Sequence, residues 1–528
     1  MKEFASLIRS LEDTSKTNAK VEYLKRYFLE APEADRVCTI ALFTHRRPKR
    51  QVNTRMLAAW AMQVSLVDEW LFQESYDVVG DLAETIALIL PKCDPANQDQ
   101  TLTDWINFLM DLEGKTDEEK EQRVKGAWST LPDGERFVFN KLITGGFRVG
   151  VSQNLIVKAL ADAFEQDASN VAYALSGDWK PSDVSFQELL FQEGETSISK
   201  PYPFFLAYSI EGLVEELGAE EEWSVEWKWD GIRSQLIVRE GELFLWSRGE
   251  ELITEKFPEL APLTDMLLNG TVIDGELLPF KDGKPLSFNL LQTRIGRKNV
   301  TRKHLKEAPA SILGYDLLEW GGQDLRGKPL AERRAQLDQL IRETLCEPLL
   351  QYSAPVQWSS WAELSELRKR SRDFDAEGFM IKRQSSVYQS GRKRGDWWKW
   401  KVDPYTIDAV MVYAQKGHGK RADLYSDYTF AVWREGELVP FAKAYSGLTD
   451  RELYQVTQFV RKHTLEKFGP VRTVTPTLVF EIHFEGINRS PRHKSGIAVR
   501  FPRIHRWRHD KKPEEANSLD DLMSLIRD

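Results

Sequence analysis

The chain has 528 residues, a formal net charge of −9 and 41% hydrophobic residues. This length is too great for one hydrophobic core, so we expect two to four domains of an ordinary globular protein. We expect no membrane helix and no secretory signal peptide, because no apolar run approaches the ~18 residues that a membrane span needs and the first residues lack an apolar segment.

The three cysteines, Cys38, Cys93 and Cys346, lie far apart in the sequence. They form no CxxC pair and no disulfide framework, which indicates a cytoplasmic protein. The negative net charge is unfavourable for binding phosphates, but binding depends on the local field. Residues Arg489–Lys512 contain nine Arg or Lys against one acid, and Lys382–Lys401 mixes basic residues with tryptophans. Such segments are typical either of a nucleic-acid surface or of a solvated basic face.

Residues 1 to about 195 are predicted to be helical, because apolar residues recur at helical spacing, as from Leu155 to Phe164 with Ser152 as N-cap. Immediately before this helix, three glycines surround one arginine. Glycines let the backbone approach a ligand closely, and a phosphate is one candidate. A helix–helix turn with a surface arginine explains the segment equally well. The residues concerned are Gly145, Gly146, Arg148 and Gly150.

A linker rich in Gly, Ser and Pro near residues 195–207 separates this region from one of short alternating segments. Ser234–Arg239 and Glu242–Trp246 flank Glu240-Gly241 and predict a hairpin. Beyond a second boundary near Asp403-Pro404, short strands predict a small barrel. The other predicted elements are a helix at Leu330–Thr344 and strands at Gly270–Phe280, Ser311–Glu319, Gly378–Arg383, Ile407–Tyr413, Tyr428–Trp433 and Leu478–Glu485.

The segment Glu226–Arg233 contains Lys228 between two tryptophans, followed by Asp230-Gly231. We expect the tryptophans to exclude water from Lys228 and to lower the pKa of its ammonium group, which would make it a nucleophile. The Asp-Gly pair predicts a turn that returns Arg233 towards the same site. A Lys-x-Asp-Gly string alone is a weak signal, because Asp-Gly is an ordinary turn.

Further segments that could contribute to the same site follow Lys228 in a fixed order. Asp274-Gly275-Glu276 is expected to place a carboxylate at a strand turn, and Tyr315 an aromatic face on a strand. Lys399 and Lys401 are expected on one face of a strand, because alternate residues point the same way. The full series is Ser247-Arg248-Gly249, Asp274–Leu277, Tyr315–Leu318, Glu377–Lys382, Trp397–Lys401 and Arg508–Lys511.

This series resembles the covalent nucleotidyltransferases, and within them the ATP-dependent DNA ligases. Gly145–Ala161 is similar to a signature of the helical DNA-binding domain of larger DNA ligases, and Pro203–Ala207 to the peptide before their catalytic domain. Phe480-Glu481-Ile482, Ser495-Gly496 and Arg500–Arg503 resemble their OB-fold. The resemblance implies a multidomain fold with an all-α DNA-binding domain at 1–195, an α+β adenylation domain at 196–402 and a C-terminal β-barrel OB-fold at 403–528.

The resemblance implies that Lys228 attacks the α-phosphorus of ATP and carries AMP as a phosphoramidate. Glu226 would contact adenine and Tyr315 would stack on it, while Arg233 and Arg248 would hold ribose or phosphate. The acids Glu276 and Glu377 would hold Mg²⁺, with Mn²⁺ as an alternative, because carboxylate oxygens suit hard cations. The basic residues expected to bind the phosphates of ATP are Arg394, Lys399, Lys401, Arg508 and Lys511.

The implied activity is the sealing of nicks in double-stranded DNA in repair, replication or recombination. The protein is expected to be a monomer, and to be associated with the nucleoid if the source is bacterial.

Two departures from the family pattern concern Gly249, where relatives often carry Asn, and Tyr315, where Phe is common. A third is an arginine before the paired lysines: Arg392 and Arg394 both qualify, and we favour Arg394. Three domains that encircle a duplex need basic inner surfaces only, which is compatible with the acidic net charge.

Three other interpretations remain. An RNA ligase or a capping nucleotidyltransferase shares the lysine chemistry but is not expected to carry the helical domain. An NAD-dependent DNA ligase is expected to have a four-cysteine zinc site, which three scattered cysteines cannot form. A non-catalytic DNA-binding protein with a ligase fold would be expected to have lost Lys228, Glu276, Glu377 or Lys399, and all four are present.

Overall fold

The computed structural model describes residues 1–44, 46–92, 100–147, 149–175, 179–191, 198–249, 251–281, 283–297, 300–417, 423–445 and 447–526. The chain divides into two compact units. The first comprises Met1–Arg9, Pro48–Val149 and Asp403–Asp528, and the second comprises Ser10–Arg47 and Gly150–Val402. One boundary between the units falls between Val402 and Asp403, where the sequence predicts the third domain to begin. The domain bounds given above stay a prediction.

The N-terminal region is helical, as predicted, and its helices belong partly to each unit. None of the helices in the described ranges is long and apolar enough to span a membrane. Cys38 and Cys346 are buried free thiols, and Cys93 lies outside the described residues. The helices are α1 (Lys2–Glu12), α2 (Thr17–Glu30), α3 (Glu33–Phe43), α4 (Thr54–Ser65), α5 (Glu69–Val79), α6 (Leu82–Ile89), α7 (Leu102–Met110), α8 (Asp117–Thr130), α9 (Asp133–Thr144), α10 (Gln153–Phe164), α11 (Ala168–Leu175) and α12 (Phe186–Phe191).

Local sequence sets the start of several helices. Thr101 before α7 and Thr116 before α8 each form a capping box with an acid three residues later, which satisfies backbone N–H groups that have no partner within the helix. Helix α10 begins after Ser152, as predicted, although the Ser152 side chain makes no capping hydrogen bond.

Residues 205–401 form a mixed α+β region. Its strands are β1 (Phe205–Leu206), β2 (Tyr208–Ser209), β3 (Trp223–Trp229), β4 (Ile232–Arg239), β5 (Glu242–Ser247), β6 (Thr271–Lys281), β7 (Lys284–Pro285), β8 (Ala310–Trp320), β9 (Gln323–Asp324), β10 (Leu350–Tyr352), β11 (Ala376–Arg383), β12 (Gly391–Arg392) and β13 (Trp397–Lys401). Its helices are α13 (Leu263–Met266), α14 (Phe288–Ile295), α15 (Arg302–Glu307), α16 (Leu330–Thr344) and α17 (Trp361–Lys369).

Two sheets face each other in this region. A seven-stranded sheet has the order β10-β8-β6-β4-β5, with β7 beside β6 and β9 beside β8, and a four-stranded sheet has the order β2-β13-β11-β3. Ile237 and Val272 of the larger sheet share one buried cluster with Trp397 of the smaller sheet. The outer face of the larger sheet packs in a second cluster that includes α16, and that of the smaller sheet in a third that includes α17. Residues on the inner faces therefore meet between the sheets.

The predicted hairpin is confirmed: β4 and β5 pair antiparallel, with Arg239 opposite Glu242. The predicted helix at Leu330–Thr344 has these bounds in the structure. The expectation of a strand turn at Asp274–Glu276 is wrong, because these residues lie inside the 11-residue strand β6. The pairing of β6 with β8 shifts register between Asp274 and Gly275, where Tyr315 is the extra residue of a bulge in β8, so the Asp-Gly pair lies in a continuous strand.

The C-terminal region is rich in strands, as predicted. A seven-stranded sheet has the order β16-β15-β14-β18-β17, with β19 paired to both β14 and β22, and β20 pairs with β21 separately. Helices α18 and α19 contribute Val456 and Leu522 to its buried core. Its elements are β14 (Tyr405–Lys416), β15 (Tyr425–Arg434), β16 (Glu437–Ala444), α18 (Asp450–His463), β17 (Thr464–Phe468), β18 (Val471–Val474), β19 (Val479–Phe484), β20 (Gly486–Arg489), β21 (Ile497–Arg500), β22 (Arg503–Trp507) and α19 (Leu519–Met523).

Candidate active site

The inner face of the four-stranded sheet carries the predicted nucleophile. Lys228 Nζ of β3 donates a hydrogen bond to Glu377 Oε2 of β11 over 2.6 Å. Lys401 Nζ of β13 lies 3.3 Å from the same oxygen. The three side chains come together because β11 lies between β3 and β13 in the sheet. A carboxylate thus holds two ammonium groups, and the Lys228 side chain keeps 23% of its surface exposed, so it is accessible to a ligand.

Gly378 shapes this part of β11. The pairing of β11 with β3 shifts register between Ala376 and Phe379. Gly378 has a φ angle of +132°, and a Cβ atom there would lie 2.2 Å from the Trp400 carbonyl oxygen. No L side chain fits this position without moving β13, so the glycine sets the irregular backbone beside Glu377.

The expectation that the two tryptophans surround Lys228 is wrong. Neighbouring residues of a strand point to opposite faces, so Trp227 and Trp229 lie on the other face of β3. Trp227 stacks on Phe374 with ring centroids 4.7 Å apart, and Trp229 Nε1 donates to Ser353 Oγ. The surroundings of the Lys228 ammonium are therefore set by Glu377 and by other charged groups.

Glu276 extends this charge cluster to the larger sheet. Burial raises the pKa of the Glu276 carboxyl to about 7, while Lys228 and Arg233 lower it by their positive charge. Glu276 pairs with Arg233 in the register of β6 and β4. A Cβ atom on Gly231 would lie 2.6 Å from the Leu277 carbonyl oxygen, so the glycine of the Lys-x-Asp-Gly segment permits close approach to β6. The Asp230-Gly231 segment therefore packs closely against β6 and also bends the chain between β3 and β4.

Arg233 is held by a buried acid, Asp274, for which the sequence motifs predicted no separate role. Its Nη2 lies 2.7 Å and its Nε 3.2 Å from the two oxygens of Asp274, and Nη1 donates to the Phe205 carbonyl. Asp274 is fully buried and also accepts hydrogen bonds from the hydroxyls of Tyr388, at 2.6 Å, and Tyr315, at 3.2 Å. This network fixes the orientation of the Arg233 guanidinium.

Glu226 lies two residues before Lys228 on the same face of β3 and is buried. Its Oε1 lies 2.8 Å from Lys382 Nζ and 2.9 Å from Arg334 Nη1. Lys382 Nζ lies 4.1 Å from the centre of the Tyr315 ring. Burial lowers the pKa of Lys382, and the charge of Glu226 opposes this shift. The structure therefore brings Glu226 and Tyr315 together around one buried ammonium group.

A group of positive charges surrounds Lys399, which lies two residues before Lys401 on β13. Burial lowers the pKa of Lys399, and Arg392, Lys228, Lys401 and Arg248 lower it further. Five cations that repel one another in this way favour the binding of an anion. Arg248 is exposed directly after β5, as the predicted hairpin requires.

Arg392, the alternative to the arginine that we selected from the sequence, adds to the positive charge at Lys399, and the assignment of Arg394 stays a prediction. Arg392 ends β12, contributes to the field at Lys399 and lies over the ring of Tyr208. Arg394 is exposed in the turn between β12 and β13.

Comparisons with known proteins agree across most of the chain. Residues 1–161 match the family model for the DNA ligase N terminus, 205–401 that for the ATP dependent DNA ligase domain, and 421–511 that for the ATP dependent DNA ligase C terminal region. A probable DNA ligase of Koribacter versatilis is 32% identical over 559 residues, covering 100% of this chain and 96% of that protein. The chain belongs to the ATP-dependent DNA ligases. The predicted family and three-domain architecture are confirmed, and the family implies the use of ATP.

Two further matches of this ligase have lower sequence identity. A DNA ligase of Thermococcus fumicolans is 27% identical over 550 residues, which cover 99% of this chain and 97% of that protein. A solved structure named Pmar-Lig_Pre has a TM-score of 0.61 at 16% identity and covers 96% of this chain and 99% of its own. At this identity the likeness supports the fold alone.

The last two predicted phosphate ligands of the ligase lie in the C-terminal region, which belongs to the other compact unit. Arg508 Nη1 lies 2.9 Å from Asp408 Oδ2, and Lys511 Nζ lies 2.6 Å from the same oxygen. Arg508 also pairs with Asp510 at 2.7 Å. The described structure therefore brings these two cations together on one acid of β14.

The glycine-rich segment of the ligase lies where α9 ends and α10 begins. Gly145, Gly146 and Gly150 all have positive φ angles, of 73°, 130° and 61°. Lys20 Nζ of α2 donates to the Gly150 carbonyl over 3.4 Å. Arg148 lies outside the described residues, so its predicted contact with DNA stays a prediction.

Proposed function

We propose that this ligase seals nicks between 3′-OH and 5′-phosphate ends of duplex DNA through AMP carried on Lys228. The observation that carries the proposal is the ion pair between Lys228 and Glu377, at 2.6 Å, beside Lys401 and Lys399. A lysine nucleophile needs a group that binds its proton and cations that stabilise the charge of the phosphate it attacks. In this proposal Glu377 is the group that binds the proton, and Lys399 and Lys401 are the cations.

In the first step, Lys228 Nζ, after losing a proton, attacks the α-phosphorus of ATP. A P–N bond forms, the bond from the α-phosphorus to the bridging oxygen breaks, and pyrophosphate leaves. Glu377 Oε2 already accepts a hydrogen bond from Nζ, so this carboxylate is placed to receive the proton. Lys399 and Lys401 would hold the α-phosphate, where positive charge offsets the charge that develops in the transition state.

We assign nucleotide recognition to the region around Glu226. Its carboxylate would contact adenine, which would stack on Tyr315, a ring that Lys382 already covers from one side. Arg233 and Arg248 would hold ribose or phosphate. Asp274 acts through Arg233 by fixing its orientation, so it is a positioning residue.

Glu276 and Glu377 would hold Mg²⁺, and Mn²⁺ is an alternative. The donors fit a hard cation because both are carboxylates. Burial raises the pKa of Glu276 to about 7, and a cation bound there would favour its charged form. When bound, the ion would neutralise charge on the ATP phosphates during transfer.

In the second step, AMP passes from Lys228 to the 5′-phosphate of the nick, so a P–N bond breaks and a pyrophosphate bond forms. In the third step, the 3′-OH attacks the 5′-phosphorus and AMP leaves. Arg508 and Lys511 would orient pyrophosphate in the first step, which requires the C-terminal region to move between steps. We propose that the protein is a monomer. It would bind the nick through Gly145, Gly146, Arg148, Gly150 and the basic segments Lys382–Lys401 and Arg489–Lys512.

Labelling with ATP tests this proposal. The purified protein, stripped of bound AMP with pyrophosphate, is incubated with α-labelled ATP and Mg²⁺ without DNA, and label on the denatured protein is measured. We expect acid-labile label that Lys228→Ala removes and Lys369→Ala retains, because Lys369 is an exposed control with 61% of its side chain accessible. Absence of label on the wild-type protein would overturn the lysine mechanism and favour a non-catalytic DNA-binding protein.

The substrate is tested with the labelled protein. Transfer of label to a nicked DNA duplex, followed by sealing and release of AMP, is the expected result. Transfer to nicked RNA and not to DNA would identify an RNA ligase, and transfer to a 5′-diphosphate RNA end would identify a capping enzyme.

A further inference from the structure

Two histidines and one acid of the C-terminal region come together on neighbouring strands. Glu481 and His483 lie on β19, and His505 lies on β22, which pairs antiparallel with β19. A register shift between Glu481 and Ile482 places the three side chains on one side of the sheet. Their ligand atoms all lie within 4.8 Å of one another.

We propose that Glu481, His483 and His505 form a site for a divalent transition-metal ion, with Zn²⁺ as the best fit. Two imidazole nitrogens and one carboxylate oxygen are a common ligand set for Zn²⁺ and related ions. This donor set differs from the two carboxylates, Glu276 and Glu377, that we assign to Mg²⁺. Hard Mg²⁺ favours oxygen ligands, so the two sites would select different metals.

The distances fit one shared ion. Bonds of 2.0–2.2 Å at tetrahedral angles place ligand atoms about 3.3 Å apart. Glu481 Oε1 lies 3.2 Å from His483 Nε2 and 3.7 Å from His505 Nε2. The two imidazole rings are stacked with centroids 3.9 Å apart, and 52% of the His505 side chain is exposed. His505 can therefore rotate to direct its nitrogen at the ion, and its exposed side leaves a position for water.

The second oxygen of Glu481 is held by arginines. Arg506 Nη2 lies 2.7 Å from Glu481 Oε2, and Arg508 Nη1 lies 3.6 Å from it. These contacts fix the carboxylate so that Oε1 faces the histidines, as hydrogen bonds to ligands do in many metal sites. The arginine charges oppose a cation, but the Arg506 side chain is 59% exposed, so solvent screens its charge. The Arg508 side chain is only 13% exposed, and its charge is offset by Asp408 at 2.9 Å and Asp510 at 2.7 Å.

The test measures binding of Zn²⁺ alone to the full chain, without a polyhistidine tag and after dialysis against a chelator. We expect that His483→Gln and His505→Gln each weaken one Zn²⁺ site more than tenfold, since loss of even an outer-shell partner weakens metal binding about 10–100-fold. His463→Gln is the matched control, because His463 is an exposed histidine of the same region. Glu276→Gln should leave this Zn²⁺ site intact.

Equal Zn²⁺ binding by the wild type, His483→Gln and His505→Gln would overturn the proposal. A second measurement does not depend on variants: Co²⁺ bound to the wild type should show the intense visible absorption of a four- or five-coordinate ion with nitrogen ligands. A weak spectrum typical of six oxygen ligands would also overturn the proposal. Neither result bears on adenylation of Lys228, which is tested separately.

Discussion

The raised pKa of Glu276 predicts that its buried carboxyl group lowers the free energy of unfolding of the protein near neutral pH. The pKa is about 7 in the folded protein against an ordinary value of 4.5, because burial disfavours the carboxylate. The folded state therefore binds more protons than the unfolded state between these values, and stability falls as pH rises from about 4.5 to about 7. Glu276→Gln removes this effect, because glutamine is uncharged at every pH.

The magnitude follows from the shift. Between pH 5 and pH 8, the stability of the wild type relative to Glu276→Gln should fall by about 2 to 3 kcal/mol, as each unit of pKa difference corresponds to about 1.4 kcal/mol. The Glu276→Gln protein should therefore gain relative stability at pH 8 while losing nick sealing. Such a gain on removing a charged functional residue is a common trade-off.

Urea denaturation of both proteins at pH 5 and pH 8, without divalent cations, measures this effect. Adding Mg²⁺ at pH 8 should stabilise the wild type more than Glu276→Gln, since an ion that binds only the folded state raises its stability. A stability difference between the two proteins that is the same at both pH values would refute the argument that burial sets the pKa of Glu276.

Three further predictions concern the same region and the DNA complex. Tyr388→Phe removes the 2.6 Å hydrogen bond to Asp274 and should destabilise the protein by about 1.5–3 kcal/mol in urea denaturation, the range for hydrogen bonds to charged groups; an unchanged midpoint would contradict the buried network around Arg233. Gly378→Ala should abolish labelling by ATP, because its Cβ would lie 2.2 Å from the Trp400 carbonyl oxygen, whereas Gly283→Ala, at a positive φ with open space around it, should retain labelling. Affinity for nicked DNA should fall steeply with salt although the pI is near 5.7, because phosphate contacts release counterions; titration at several salt concentrations checks this, and a flat response would count against binding by the basic segments.

The sequence predicted those features that depend on local patterns. Alternation of apolar residues predicted the hairpin of β4 and β5, and helical periodicity predicted α10 after Ser152. The order of the motifs along the chain is sufficient to indicate the ligase family. Lys399 and Lys401 could be placed on one face of a strand because the period of a strand is two residues.

The same periodicity contradicts one of our expectations. Neighbours in a strand point apart, so Trp227 and Trp229 could not enclose Lys228 once the segment became β3. The strand turn predicted at Asp274-Gly275 was wrong for a related reason. An Asp-Gly pair favours a turn, but pairing of β6 with strands on both sides keeps the chain extended at Asp274-Gly275.

Only the tertiary structure decided which charges meet. Lys228 and Glu377 are 149 positions apart, and they touch because β11 lies beside β3. Asp274 and Tyr388 are 114 positions apart and meet between the two facing sheets. Local sequence sets the conformation of a segment, whereas the pairing of distant strands sets the neighbours and burial of each side chain. The neighbours and the burial of a side chain, in turn, determine the charge state of Glu276 and the partners of Arg233.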